Sequence, residues 1–138
     1  MDIQVNMLAV VLATASSMII GSIWYAKGVF GNTWAKLAKV DLSKTTGAAK
    51  AIIATIIVSL LTAYVLAHVS YLSHQFFHHS FLQDALTTSF WLWLGFTAAR
   101  FITHDAFESR PVKLTVLNCT HELVTIMVMG LIIGLFGA

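Results

Sequence analysis

Charge is what this chain has least of. Of 138 residues, 10% are Asp, Glu, Lys or Arg and 58% are hydrophobic, whereas a soluble domain carries about 25% charged residues. That shortage excludes a water-facing globule. The formal net charge of +2 gives no basic surface for a nucleic acid. There is one cysteine, Cys119, which excludes an internal disulfide and a cysteine metal cluster. There is one proline, Pro111, placed as a first-turn proline opening a helix would be. The start of the chain, MDIQVN, has no basic region, so the first apolar run reads as a retained helix rather than a signal peptide. No nucleotide loop, Ser-His-Asp set or haem signature is legible, so no cofactor and no catalytic residue is indicated.

Apolar sequence is what the chain has instead. Four stretches, at about 5–25, 48–69, 82–103 and 112–136, reach the ~20 residues a bilayer crossing needs. Lys50, Asp84 and Arg100 lie near the ends of these stretches, and only Glu122 falls near a middle. A soluble bundle would show a polar face on each helix. The expected architecture is an all-α membrane protein, a single domain over 1–138 with four transmembrane helices. Membrane lipid is its expected partner.

The basic residues set an orientation. All eight Lys and Arg lie in or beside the first and third connections. The N-terminal tail, the second connection and the C-terminus have none. By the positive-inside rule the first and third connections are cytoplasmic and both termini are extracytoplasmic, in a multi-pass inner-membrane protein.

The first connection holds "GSIWYAKGVFGNTWAKLAK". Trp24 and Tyr25 fall where the first span meets the headgroups, a level that amphipathic rings favour. Phe30, Trp34 and Leu37 repeat at i, i+4 and i+7 while Lys36 and Lys39 point elsewhere, the pattern of a short cytoplasmic interfacial helix. Trp24, Tyr25, Phe30 and Trp34 read as an anchor, with a substrate-binding loop as the alternative. With Gly21 and Gly31 they form a glycine-aromatic signature. Together with Arg110-Pro111, Asn118 and His121 in "FESRPVKLTVLNCTHELVTIMVMGLIIG", it resembles the bacterial membrane family catalogued as domain of unknown function 1761. The resemblance spans nearly the whole chain. It implies a four-helix membrane protein and brings no activity.

Glu122 is the residue most in need of explanation. A carboxylate at helix centre costs about 2.5–3.5 kcal/mol on insertion scales. Asn118, His121, Glu122 and Thr125, at i, i+3, i+4 and i+7, share one face and form a polar stripe that would point into a bundle. An imidazole beside a carboxylate is a proton-binding pair by chemistry, so transport of a small solute or ion is the leading expectation. The alternative is an accessory or lipid-interacting protein whose stripe only joins helices. "HELVT" departs from the zinc-protease pattern H-E-x-x-H, because Thr125 replaces the second histidine.

In the second connection His74 and His78 stand four apart and are weak metal candidates. No cysteine lies there, and Asp84 is the nearest acid. An interfacial segment with its histidines toward water is the plainer reading. Trp91 and Trp93, two apart, face different ways, so at most one lines an interior. Small residues at four-residue spacing, namely Ala9, Ala13, Ser17 and Gly21, then Gly130 and Gly134, let helices approach closely where lipid removes the hydrophobic drive. Ala63 with Ala67, and Gly95 with Ala99, fit the same use. Packing within one bundle is expected, with a homo-oligomer as a further expectation because four helices enclose little interior.

Overall fold

The structure, a computed structural model, describes residues 3–44 and 46–137. Among the described residues every regular element is helical. The helices are α1 (Met7–Trp24), α2 (Asn32–Ala38), α3 (Ala48–Phe77), α4 (Phe81–Leu92), α5 (Ala99–Phe107) and α6 (Val112–Phe136). Two π-helical segments join neighbours. Lys27–Gly31 leads into α2, and Trp93–Ala98 runs between α4 and α5. Three helices, α1, α3 and α6, are each long and apolar enough to cross a membrane.

The expected span over 82–103 is not a single α-helix. Residues 81–107 are helical throughout, but the π-helical segment interrupts them at Trp93–Ala98. A π segment widens the turn and shifts the face presented beyond it. That shift explains a missed packing pair: Gly95 has open space around it and Ala99 is exposed, while Ala98 is buried.

The second expected span also changes. With no glycine or proline after Gly47 to stop it, α3 continues through His74 to Phe77, absorbing most of the expected outer connection. His78 ends it in the left-handed region, its N–H donating to the His74 carbonyl. The Ser80 hydroxyl then caps α4 by accepting from the Gln83 N–H at 3.2 Å.

The core lies between α1, α3 and α6, with α4 packed beside it. Ala9, Val10 and Ala13 meet Ala63, Leu66 and Ala67, and Ile126, Met129 and Ile133 close the cluster. The small stripe of α1 is buried from Ala9 to Ser17, as its spacing predicts. On α6, a Cβ built at Gly130 would lie 2.0 Å from the Ser89 Oγ, and one at Gly134 would lie 2.8 Å from the Leu82 Cα. Only hydrogen fits at either position, so α4 and α6 touch backbone to backbone, as small residues allow.

Packing is uneven along α3. Residues 48–61 are exposed apart from Ser59, and burial begins only at Ala63. The first half of α3 therefore stands clear of the bundle, at the end where the lysine-rich connection enters it.

Candidate functional site

The glycine-aromatic signature and the polar stripe of α6 turn out to be one site. After α1 ends, the chain turns back through the π-helical segment and lays α2 against α6. Gly31 makes the turn possible. A Cβ there would lie 2.2 Å from the Tyr25 carbonyl oxygen, and the Gly31 N–H donates to the Ala26 carbonyl at 3.0 Å. Any side chain would push the two strands of the turn apart.

The turn carries four aromatic rings to one histidine. His121 lies with its ring centroid 4.9 Å from Tyr25 and 5.8 Å from Trp24. Phe30 packs on Trp24 at 4.6 Å and Trp34 on Tyr25 at 5.3 Å. Across from them lies Gly21, where a Cβ would sit in ordinary contact, 3.7 Å from His121 Nε2. The contact also puts Trp24, Tyr25 and His121 at one level of the bundle.

The polar stripe is divided by this geometry. His121 Nδ1 lies 3.2 Å from Glu122 Oε1, so adjacent residues form the imidazole–carboxylate pair. The His121 side chain is 12% exposed, whereas that of Glu122 is 41% exposed, so the carboxylate is the open member and the imidazole the enclosed one. Asn118 Oδ1 accepts from the Tyr25 hydroxyl at 3.4 Å, tying the stripe to the aromatic turn. Thr125 is buried with no partner for its Oγ1 and makes no hydrogen bond to the pair.

Two more buried atoms at this place have no partner, Trp24 Nε1 and His121 Nε2. Buried polar groups are normally satisfied by protein or ordered water, and each one left alone costs about 1–3 kcal/mol. Trp24 Nε1 only donates. With Nδ1 donating to Glu122, the His121 Nε2 is an acceptor. Both atoms are enclosed by the packing of the aromatic turn, a donor and an acceptor that the fold leaves unsatisfied.

Trp93, from the π-helical segment, donates through Nε1 to the Cys119 carbonyl at 2.9 Å, while Trp91 is exposed. Only one of the two faces the interior. A cleft of about 420 Å³ lies between the 81–107 helix and α6, with Asn118 and Arg100 in its wall. Asn118 thus lines the cleft and also accepts from Tyr25 beside the histidine.

At the far end of the bundle the histidines behave differently from their spacing. His74 Nδ1 lies 3.0 Å from Asp84 Oδ2, and His79 Nδ1 lies 3.0 Å from Asp84 Oδ1. His78, the expected mate of His74, instead supplies the left-handed residue that ends α3. Asp84 is 2% exposed, so the two imidazoles satisfy both oxygens of a buried carboxylate and join α3 to α4. The i, i+5 interval from His79 to Asp84 belongs to no helical pattern, and only the presence of an acid near the histidines hinted at the cluster. Among the described residues, no group of three or more His, Cys, Asp or Glu is arranged to hold a metal ion.

Comparison with curated proteins and with solved structures gives no match. The profile of one family matches residues 8–134, a range that takes in both the aromatic turn and the polar stripe. On that match the chain belongs to the family described as protein of unknown function DUF1761.

Proposed function

We propose that the protein passes a small solute or ion across the cytoplasmic membrane, coupled to a proton held by His121 and Glu122. In this reading the membrane is crossed four times, by α1, α3, the 81–107 helix and α6. Both termini lie outside, and α2 rests on the cytoplasmic surface. The lysines and arginines support that orientation, since all of them fall in or beside the connections that would face inward.

One observation carries the proposal. The pair has a sealed end and an open end: Nε2 of His121 is buried without a partner, while the carboxylate bonded to Nδ1 is partly exposed. From the other neutral tautomer, with the proton on Nε2, a proton passed from Glu122 can enter at Nδ1 while the Nε2 proton leaves on the enclosed side, which gives the tautomer whose Nδ1–H donates to Glu122. Imidazole is the side chain suited to such a shuttle, because its two nitrogens exchange donor and acceptor roles. Trp24 only donates, so the acceptor on that side has to be a water or the solute. Tyr25, packed on His121 and donating to Asn118, holds the imidazole in place, and Thr125, buried on the same helix face, leaves its hydroxyl free for the occupant.

The test is proton-coupled flux in liposomes for the wild type and for Glu122→Gln. Gln keeps the shape and the hydrogen bonding but cannot titrate. Flux driven by a pH gradient should fall to the level of empty liposomes, while the folded fraction and oligomeric state stay unchanged. Equal flux for the two proteins across pH would remove the coupling role.

A second reading has its own support. Trp24 and Tyr25 pack on His121, backed by Phe30 and Trp34, and that packing alone would pin α2 to α6. The protein would then be an accessory or lipid-interacting membrane component, and its pair a strut. A silent Glu122→Gln would move the conclusion there.

A further inference from the structure

We propose that the cleft between the 81–107 helix and α6 binds the phosphate of an anionic phospholipid through Arg100 and His104. The proposal does not depend on the transport reading and involves neither His121 nor Glu122.

Charge inside the cleft is the first argument. Its two acids are already engaged. Glu108 accepts from Arg110 Nε, and Asp105 accepts from the Thr115 hydroxyl at 2.6 Å with Arg110 Nε 3.9 Å away. Arg100 and His104 line the same cleft and, among the described residues, make no ion pair and no side-chain hydrogen bond. One guanidinium and one imidazole are left facing a space of about 420 Å³. A guanidinium in that position matches the paired oxygens of a phosphate, as its planar fork does elsewhere.

The walls argue for a lipid rather than a free anion. Phe96 and Phe101 line the cleft, and Phe96 is 74% exposed. A phosphate flanked by apolar wall suits a headgroup whose glycerol and acyl chains continue outward over Phe96. The volume lies within the range of small-molecule sites, about 300–1,000 Å³. It holds a headgroup and leaves the chains in the bilayer. Phe96 and Thr97 come from the π-helical segment, a backbone form that recurs at functional sites. Arg100 also lies toward the end of the chain's fold where Arg110 and Lys113 begin the next helix, the level at which headgroup phosphates are expected.

The experiment uses the full chain purified in detergent, exposed to phosphatidylglycerol or to phosphatidylcholine, with retained lipid phosphate per protein as the readout. Phosphatidylglycerol should be retained and raise the unfolding temperature, and phosphatidylcholine should do neither. Arg100→Gln should weaken phosphatidylglycerol retention about tenfold, the scale of one lost charge-assisted hydrogen bond. His104→Ala should weaken it less. Lys113→Gln, which removes an equal charge outside the cleft lining, should leave retention unchanged. Equal retention by the wild type and Arg100→Gln would show ordinary surrounding lipid and overturn the site. Equal losses with Lys113→Gln would show a bulk charge effect and overturn it as well. In a separate arm, inorganic phosphate and glycerol phosphate are added to the lipid-free protein. Stabilisation by either one to the extent given by phosphatidylglycerol would overturn the lipid assignment in favour of a soluble phosphate.

Discussion

His121 and Glu122 are neighbours in the chain and partners in space, Nδ1 to Oε1 at 3.2 Å, yet the bundle encloses the first and leaves the second partly open. Adjacent helical residues point about 100° apart, so a pair formed across one peptide unit can straddle the boundary between interior and exterior, as this one does. Under the proposed function, the open carboxylate is where a proton would enter. The arrangement follows from the spacing of two residues together with the aromatic turn that covers only one of them.

The turn itself can be broken at a single atom. Gly31→Ala places a Cβ within 2.2 Å of the Tyr25 carbonyl oxygen, and backbone on both sides cannot retreat without releasing α2. The expected cost is about 1–3 kcal/mol, the range for overpacking. Trp24 and Trp34 should also become more accessible to a water-soluble quencher. Unchanged melting and unchanged quenching would mean that the turn is looser than its geometry implies.

The contact between α4 and α6 gives a graded comparison. Gly130→Ala collides first with the Ser89 hydroxyl, a side-chain atom that otherwise donates to the Ala85 carbonyl at 2.7 Å. Gly134→Ala collides with the Leu82 Cα, which has no rotamer to change. Gly134→Ala should therefore destabilise more, and Ser89→Ala should recover much of the loss in Gly130→Ala but none in Gly134→Ala. Melting temperatures of the three single and two double variants decide it, and additivity throughout would contradict the assigned contacts.

Much of this was legible in the sequence, and the gaps have specific causes. Apolar length gave α1, α3 and α6, the spacing of Ala9, Ala13 and Ser17 gave the buried face of α1, and that of Gly130 and Gly134 gave a close approach on α6, whose partner is α4. The π-helical segment was not readable, because one extra residue in a turn changes no composition and breaks no hydrophobic run. It is why Ala98 rather than Ala99 is buried. The partnership of the aromatic signature with His121 joins residues about a hundred positions apart, and no local period reports such a contact. Exposure was equally hidden: a shared helical face groups Asn118, His121, Glu122 and Thr125, but the face alone does not say where the neighbouring helices stop.

The histidines around the turn from α3 to α4 separate by role. His79→Ala or His74→Ala leaves one oxygen of the buried Asp84 without a donor, at a cost of about 1–3 kcal/mol, and loosens α3 from α4. His78→Asn keeps a residue that tolerates the left-handed backbone and should be nearly neutral. Thermal unfolding of the three variants tests this. A loss at His78 comparable to that at His79 would mean that sequence spacing, rather than the clasp on Asp84, governs this corner.

Trp24 offers the clearest division between a strut and a binding site. Its ring packs on Phe30 and faces His121, and its Nε1 is buried with no partner. Trp24→Phe keeps an aromatic ring at the position and deletes that donor. If the atom serves only the fold, its loss removes an unsatisfied polar group at the expense of some packing area, and function should not change. If the atom waits for an occupant between itself and His121 Nε2, Trp24→Phe should hold or raise the melting temperature while proton-coupled flux falls. Opposed movements of stability and activity are what a group kept unsatisfied for a ligand produces. Melting temperature and flux measured on the same preparation read both. A lower melting temperature with flux intact would assign Trp24 to packing and leave the enclosed nitrogen of His121 without the neighbour that the transport reading gives it.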